Sequence, residues 1–188
     1  PTGVRDRSET TISFNDVTRT FTLARTGADF VYYLKGVKYT ITTDLTIVLP
    51  DVTDSYFIYL DQDQVLKTLS SFSTDLFTDL SFISVVYYNS TQGTGTFVLD
   101  ERHGISMDGA THRHLHNSFG TKYYGGFDIT QFADQFSLTE GTIADEDIIV
   151  DITDGVGDFA QTLSPQAVVP VVYRLGINEW YRDTASSI

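Results

Sequence analysis

The strongest alternation in the chain runs over residues 55–60, where Tyr56, Ile58 and Leu60 take one parity and Phe57 and Tyr59 the other. Apolar residues at both parities of a period-two segment predict a strand covered on both faces. Shorter alternating segments recur on either side. Residues 11–14 and 19–25 flank a turn at Asn15-Asp16, and 30–34 and 37–42 flank Lys35-Gly36, so each pair predicts a hairpin. Residues 45–49 end at Pro50, and further strands are predicted at 65–69, 80–88 and 95–99, separated by polar or glycine-bearing turns. Strands at this regular spacing predict an antiparallel β-sandwich over 1–101.

The rhythm breaks at the next segment. Met107, Ala110, Thr111, Leu115 and Phe119 recur at three-to-four spacing, with Asp108 placed to cap the start and Gly120 to stop the end, which predicts a short helix over 107–119. The competing pattern is a strand, since His-x-His-x-His would set His112, His114 and His116 on one face. After Gly125-Gly126 the β pattern returns at 127–132, 148–152 and 167–173, the last interrupted by Pro170. The expected organisation is a sandwich at 1–101, a histidine-rich connector at 102–127 and a smaller acidic β-rich unit at 128–188, continuing in a longer parent chain.

Composition supports this all-β expectation, with 13 Phe and 11 Tyr against a single Met. The 41% of hydrophobic residues suffices for a core. Twenty-five Asp and Glu face 12 Lys and Arg for a net charge of -13, which repels nucleic-acid backbones and anionic membranes and argues against both as partners. The absence of cysteine removes disulfides and thiolate zinc sites. No apolar run approaches the roughly 20 residues of a membrane span.

Candidate chemistry concentrates in one place. All four histidines, His103, His112, His114 and His116, fall in the window that begins at Glu101. On a helix, His112 and His116 lie one turn apart and could ligate one metal, completed by His103 or a carboxylate such as Asp108. On a strand, three in-line histidines could meet their copies on a trimer axis. The zinc-protease pattern fails, because Arg113 follows His112 where a Glu is required. The cupin pattern also fails, having no later histidine after His116. A second cluster, Asp145, Glu146, Asp147, Asp151, Asp154 and Asp158, offers oxygen ligands for a loop calcium or a surface for a basic partner, without the order of an EF-hand. No nucleophile elbow and no catalytic cysteine is present, so an enzyme is not expected.

Four stretches resemble segments of structural proteins of tailed-phage virions. They are Phe30-Val-Tyr-Tyr-Leu-Lys-Gly-Val-Lys-Tyr39, His103-Gly-Ile-Ser-Met-Asp-Gly-Ala-Thr-His-Arg-His-Leu-His116, Gly141-Thr-Ile-Ala-Asp-Glu-Asp-Ile148 and Leu163-Ser-Pro-Gln-Ala-Val-Val-Pro-Val-Val-Tyr-Arg174. The resemblance implies a tail, baseplate or fibre-attachment subunit, located in the virion, without a required cofactor, and partnered by copies of itself, as a trimer, and by other virion proteins. Met107, Leu115 and Phe119 are the expected connector and assembly residues. The alternative is a metal-dependent enzyme or a carbohydrate-binding β module centred on the histidines.

Overall fold

The computed structural model describes residues 1–102, 107–132, 135–146, 148–155, 160–177 and 179–187. Contacts divide the chain into Pro1–His114 and Leu115–Ile188, a boundary that falls inside a helix, where the sequence predicts a three-part division at 101 and 127.

The first unit contains β1 (Gly3–Val4), a 3-10 turn at Arg7–Glu9, β2 (Thr10–Asn15), β3 (Thr20–Arg25), β4 (Phe30–Leu34), β5 (Val37–Ile41), β6 (Leu45–Val48), β7 (Asp54–Leu60), β8 (Leu66–Leu69), the helix α1 (Asp75–Thr78), β9 (Ser81–Asn89) and β10 (Thr94–Asp100). The helix α2 (Gly109–Ser118) follows. The strands form three antiparallel sheets ordered β1-β4-β5, β2-β3-β6 and β10-β9-β7-β8, so the fold is mainly β, as the sequence predicts. The hairpin expected at Lys35-Gly36 joins β4 to β5, and both residues take the positive φ that a primed turn requires, 49° and 84°.

The central strand β7 has the two-sided burial that its alternation predicts. Tyr56, Ile58 and Leu60 enter the main core with Phe21, Leu23, Phe30, Tyr32, Ile83 and Val86. Phe57 and Tyr59 pack on the opposite side against a second cluster of Leu76, Phe77, Phe82 and Val85. The single turn of α1 covers that side, which is why residues 75–78 are helical within a β-rich unit. Deep in the main core, the Tyr32 hydroxyl donates to the Asp61 carbonyl at 2.6 Å, so the one polar atom of that ring is satisfied.

The C-terminal edge of this unit is held by charge. Arg102, 4% exposed, donates to Asp100 through Nε (2.9 Å) and Nη2 (2.7 Å) and to Thr10 Oγ1 through Nη1 (2.9 Å). Arg7 adds a bond to the same carboxylate at 2.9 Å.

The second unit comprises β11 (Thr121–Gly126), β12 (Ile129–Phe132), β13 (Gln135–Leu138), β14 (Gly141–Asp145), β15 (Ile148–Ile152), β16 (Val168–Arg174) and β17 (Trp180–Ser187). They pair as a three-stranded sheet β11-β14-β15 and two ribbons, β12-β13 and β16-β17. Pro170 sits where the β16–β17 register shifts between Val169 and Val171, a bulge that accommodates its missing N–H. Four strands of this unit lie outside the predicted set: β11, β13, β14 and β17.

Candidate metal centre

The helix expected at 107–119 forms as Gly109–Ser118, and Asp108 makes it start there. Its Oδ1 accepts from the amides of Ala110 (3.0 Å) and Thr111 (3.1 Å), and its Oδ2 accepts from Thr111 Oγ1 at 2.8 Å. These donors, the Thr111 amide foremost, hold the Asp108 carboxyl below the usual carboxylate range. Asp108 is thus committed to capping, and the structure does not support it as a metal ligand. At the other end, the amides of Phe119 and Gly120 both donate to Leu115 O, and Gly120 takes a φ of +55° that closes the helix.

Within the first unit, α2 begins in direct contact with the end of α1. A Cβ at Gly109 would stand 2.6 Å from Phe77 O and 2.8 Å from Thr78 Cα, so only glycine permits this approach. His112 follows and packs edge-on against Phe77, with centroids 5.1 Å apart at 81°. It is 8% exposed in a narrow crevice that it shares with Leu76, Leu80, Phe82 and Glu101.

Glu101 is 4% exposed, and its amide donates to Ile83 O at 2.9 Å, fixing the segment just after β10. A carboxylate oxygen of Glu101 lies within 4.8 Å of a His112 ring nitrogen. His116 lies one turn beyond His112 along the same helix. In the second unit, His116 Nδ1 donates to Glu146 Oε1.

The predicted histidines therefore separate. His112 and His116 share a helix face, His114 is exposed, and His103 lies outside the described residues. Glu101, which heads the histidine window, is absent from the expected ligand set. The available signal was an acidic residue directly after a strand predicted to reach the core, since such a position carries the side chain inward.

The acidic stretch is organised differently. Asp145 accepts from Thr121 Oγ1 (3.2 Å) and Asp151 from Thr142 Oγ1 (2.7 Å), while Asp154 accepts from the Leu163 amide (2.9 Å). Glu146 meets His116, and Asp147 and Asp158 lie outside the described residues. Each described acid thus serves a protein donor at its own place, and the structure does not gather them around one cation. Of the expected assembly residues, Met107 and Leu115 are half-buried. Phe119 is exposed with the Lys122 ammonium 3.9 Å above its ring. An open groove in the second unit, lined by Gly125, Gly126, Glu140, Gly141, Asp151 and Thr153, brings together no imidazole.

Comparison with protein-family models, curated proteins and solved structures yields no match to this chain.

Proposed function

We propose that this chain is a structural subunit of a tailed-phage virion that assembles with copies of itself, as a trimer, through the β-surfaces of its second unit. The observation that carries this reading is the distribution of burial. Of the 23 buried apolar residues among those described, only Ala144, Val150 and Leu163 belong to the second unit. Ordering a residue costs about 1–2 kcal/mol of backbone entropy, whereas fully burying a side chain of Val or Leu size contributes about 1.5–3 kcal/mol. Three such residues cannot stabilise the strands of this unit.

The same unit exposes what assembly would cover. Tyr123, Tyr124, Ile129, Ile149, Val172, Ile177 and Trp180 are all more than 45% exposed. Apolar area on this scale in a soluble protein points to a partner surface. The β16–β17 ribbon also balances Arg174 and Arg182 against Glu179 and Asp183, so identical ribbons can approach without the repulsion that a net charge of -13 imposes elsewhere. The virion context rests on the resemblance of the four segments.

Light scattering over a wide range of concentrations tests the reading. A trimer that persists on dilution is expected, whereas a monomer with a fully folded second unit overturns it. A metal-dependent enzyme is the second reading, favoured by the buried Glu101 and His112 side chains of the first unit, whose ligand atoms lie within 4.8 Å of each other. The narrow apolar crevice around His112 offers little room for a substrate.

A further inference from the structure

We propose that the cationic face of the β16–β17 ribbon docks into the glycine-floored groove of the β11-β14-β15 sheet on a second copy of this chain, with Arg182 directed at Asp151. The pairing rests on the assembly reading of the second unit. A cyclic trimer is built from contacts of this kind, each joining two unlike surfaces.

The ribbon is neutral as a whole, but its charges are sorted by face. Arg182 pairs with Val172 and Arg174 with Trp180, so both cations share a face with the exposed apolar patch. Asp183 pairs with Val171 on the opposite face, and the Tyr181 hydroxyl, also on that side, donates to Glu179 at 3.0 Å. Arg174 and Arg182 are two of the three Lys and Arg residues of the second unit, Lys122 being the other, among a large excess of Asp and Glu. Two copies of this face would set guanidinium against guanidinium, so its complement is an acidic surface and not its own likeness.

The groove provides that surface. Its volume is about 380 Å³, its floor is formed by Gly125, Gly126 and Gly141, and the exposed Glu140 and Asp151 stand among its walls. Gly125 pairs with Thr142, which pairs with Asp151, so the carboxylate lies on the same face of the sheet as the glycine. The Thr142 hydroxyl donates to Asp151 at 2.7 Å and holds it in place for the planar fork of a guanidinium. Internal packing accounts for two of the three glycines. A Cβ at Gly126 would collide with the Glu140 carbonyl oxygen, and one at Gly141 would stand 2.7 Å from the Phe127 ring. Gly125 differs, because a Cβ there would meet nothing within 4 Å and its backbone is not left-handed. The fold of the chain itself does not require glycine at 125, whereas the close approach of a side chain from a second copy does.

Sedimentation velocity on the full chain tests the pairing. Gly125→Val fills the groove without changing its charge, Asp151→Asn removes a charge while keeping an acceptor for Thr142, and Arg182→Glu reverses the ribbon. Each should raise the dissociation constant of the assembly by roughly tenfold or more, with the far-ultraviolet circular dichroism of the parent. Asp183→Asn, on the other face of the ribbon, should associate as the parent does. At a concentration where Gly125→Val and Arg182→Glu are each monomeric, an equimolar mixture should form a dimer, because the intact ribbon of the first meets the intact groove of the second. An assembled parent left unmoved by Gly125→Val and Arg182→Glu, a mixture that stays monomeric, or equal weakening by Asp183→Asn overturns the head-to-tail pairing and leaves the assembly reading standing. A parent that is monomeric at every concentration overturns both.

Discussion

The α-carbon of Gly109 is pressed against the backbone of Phe77, leaving no space for a β-carbon, since one would lie 2.6 Å from the Phe77 carbonyl oxygen. The obstacle is backbone, which cannot rotate aside as a side-chain tip can. Gly109→Ala should therefore destabilise the first unit by about 1–3 kcal/mol, the usual cost of overpacking, despite the better helix propensity of alanine. Gly27, which has no neighbour within 4 Å, is the control, and Gly27→Ala should stay within about 0.5 kcal/mol of the parent. Urea denaturation of both variants checks this. It also bears on the pairing of Glu101 with His112, because any shift of the start of α2 moves His112 with it.

Arg102 and Asp100 form the most enclosed ion pair among the described residues of the first unit, with side chains 5% and 23% exposed. Burial pushes the Asp100 carboxyl upward, but the hydrogen bonds from Arg102 and the charges of Arg102 and Arg7 outweigh it and hold the carboxyl below its ordinary value. A carboxyl lowered in the folded state contributes stability above its unfolded pKa of about 3.9 and loses that contribution as pH falls through the folded value. Stability should therefore decline below about pH 4, and Asp100→Asn should flatten that part of the profile in denaturation curves taken across the acid range.

Removing the other partner is the harsher change. Arg102→Ala leaves Asp100 partly enclosed with Arg7 and the backbone amide of residue 102, and deprives Thr10 of its guanidinium contacts, which should cost about 3–5 kcal/mol. Arg102→Lys should recover little, because a point charge cannot reproduce the two-pronged contact with the carboxylate. Thermal unfolding of the two variants distinguishes a geometric requirement from a simple charge requirement.

The parts of this molecule that are legible in its sequence are those where burial forces a period. β7 alternates because each parity meets its own apolar cluster, and the Lys35-Gly36 hairpin announces itself because few residue pairs accept two positive φ values. The helix is legible from its cap and stop. The strands β11, β13, β14 and β17 were hidden for the converse reason: with little of the second unit buried, their residues carry no strong alternation to detect. Glu101 was hidden because its partner His112 is eleven positions away across a change of structure, a spacing no local pattern encodes. Asp108 shows the limit from the other side, since proximity in sequence suggested a ligand and the local hydrogen bonds made it a cap.

On the β16–β17 ribbon, Val172 pairs with Arg182 and Arg174 with Trp180, so these four residues share one face. Val172 and Trp180 are 49% and 47% exposed there, forming an apolar patch between two cations. Val172→Glu places an anion directly opposite Arg182, a cross-strand pair that contributes about 0.2–1 kcal/mol and should preserve the ribbon. The same change would bury a carboxylate wherever the patch is covered by another copy, which costs several kcal/mol in an interface that excludes water. The variant should keep the parent's circular dichroism in the far ultraviolet while its mass by light scattering falls toward that of a single chain. A variant that retains the parent's mass would show that this face lies outside the assembly interface, and would direct attention to Tyr123, Tyr124 and Ile149 on the β11-β14-β15 sheet instead.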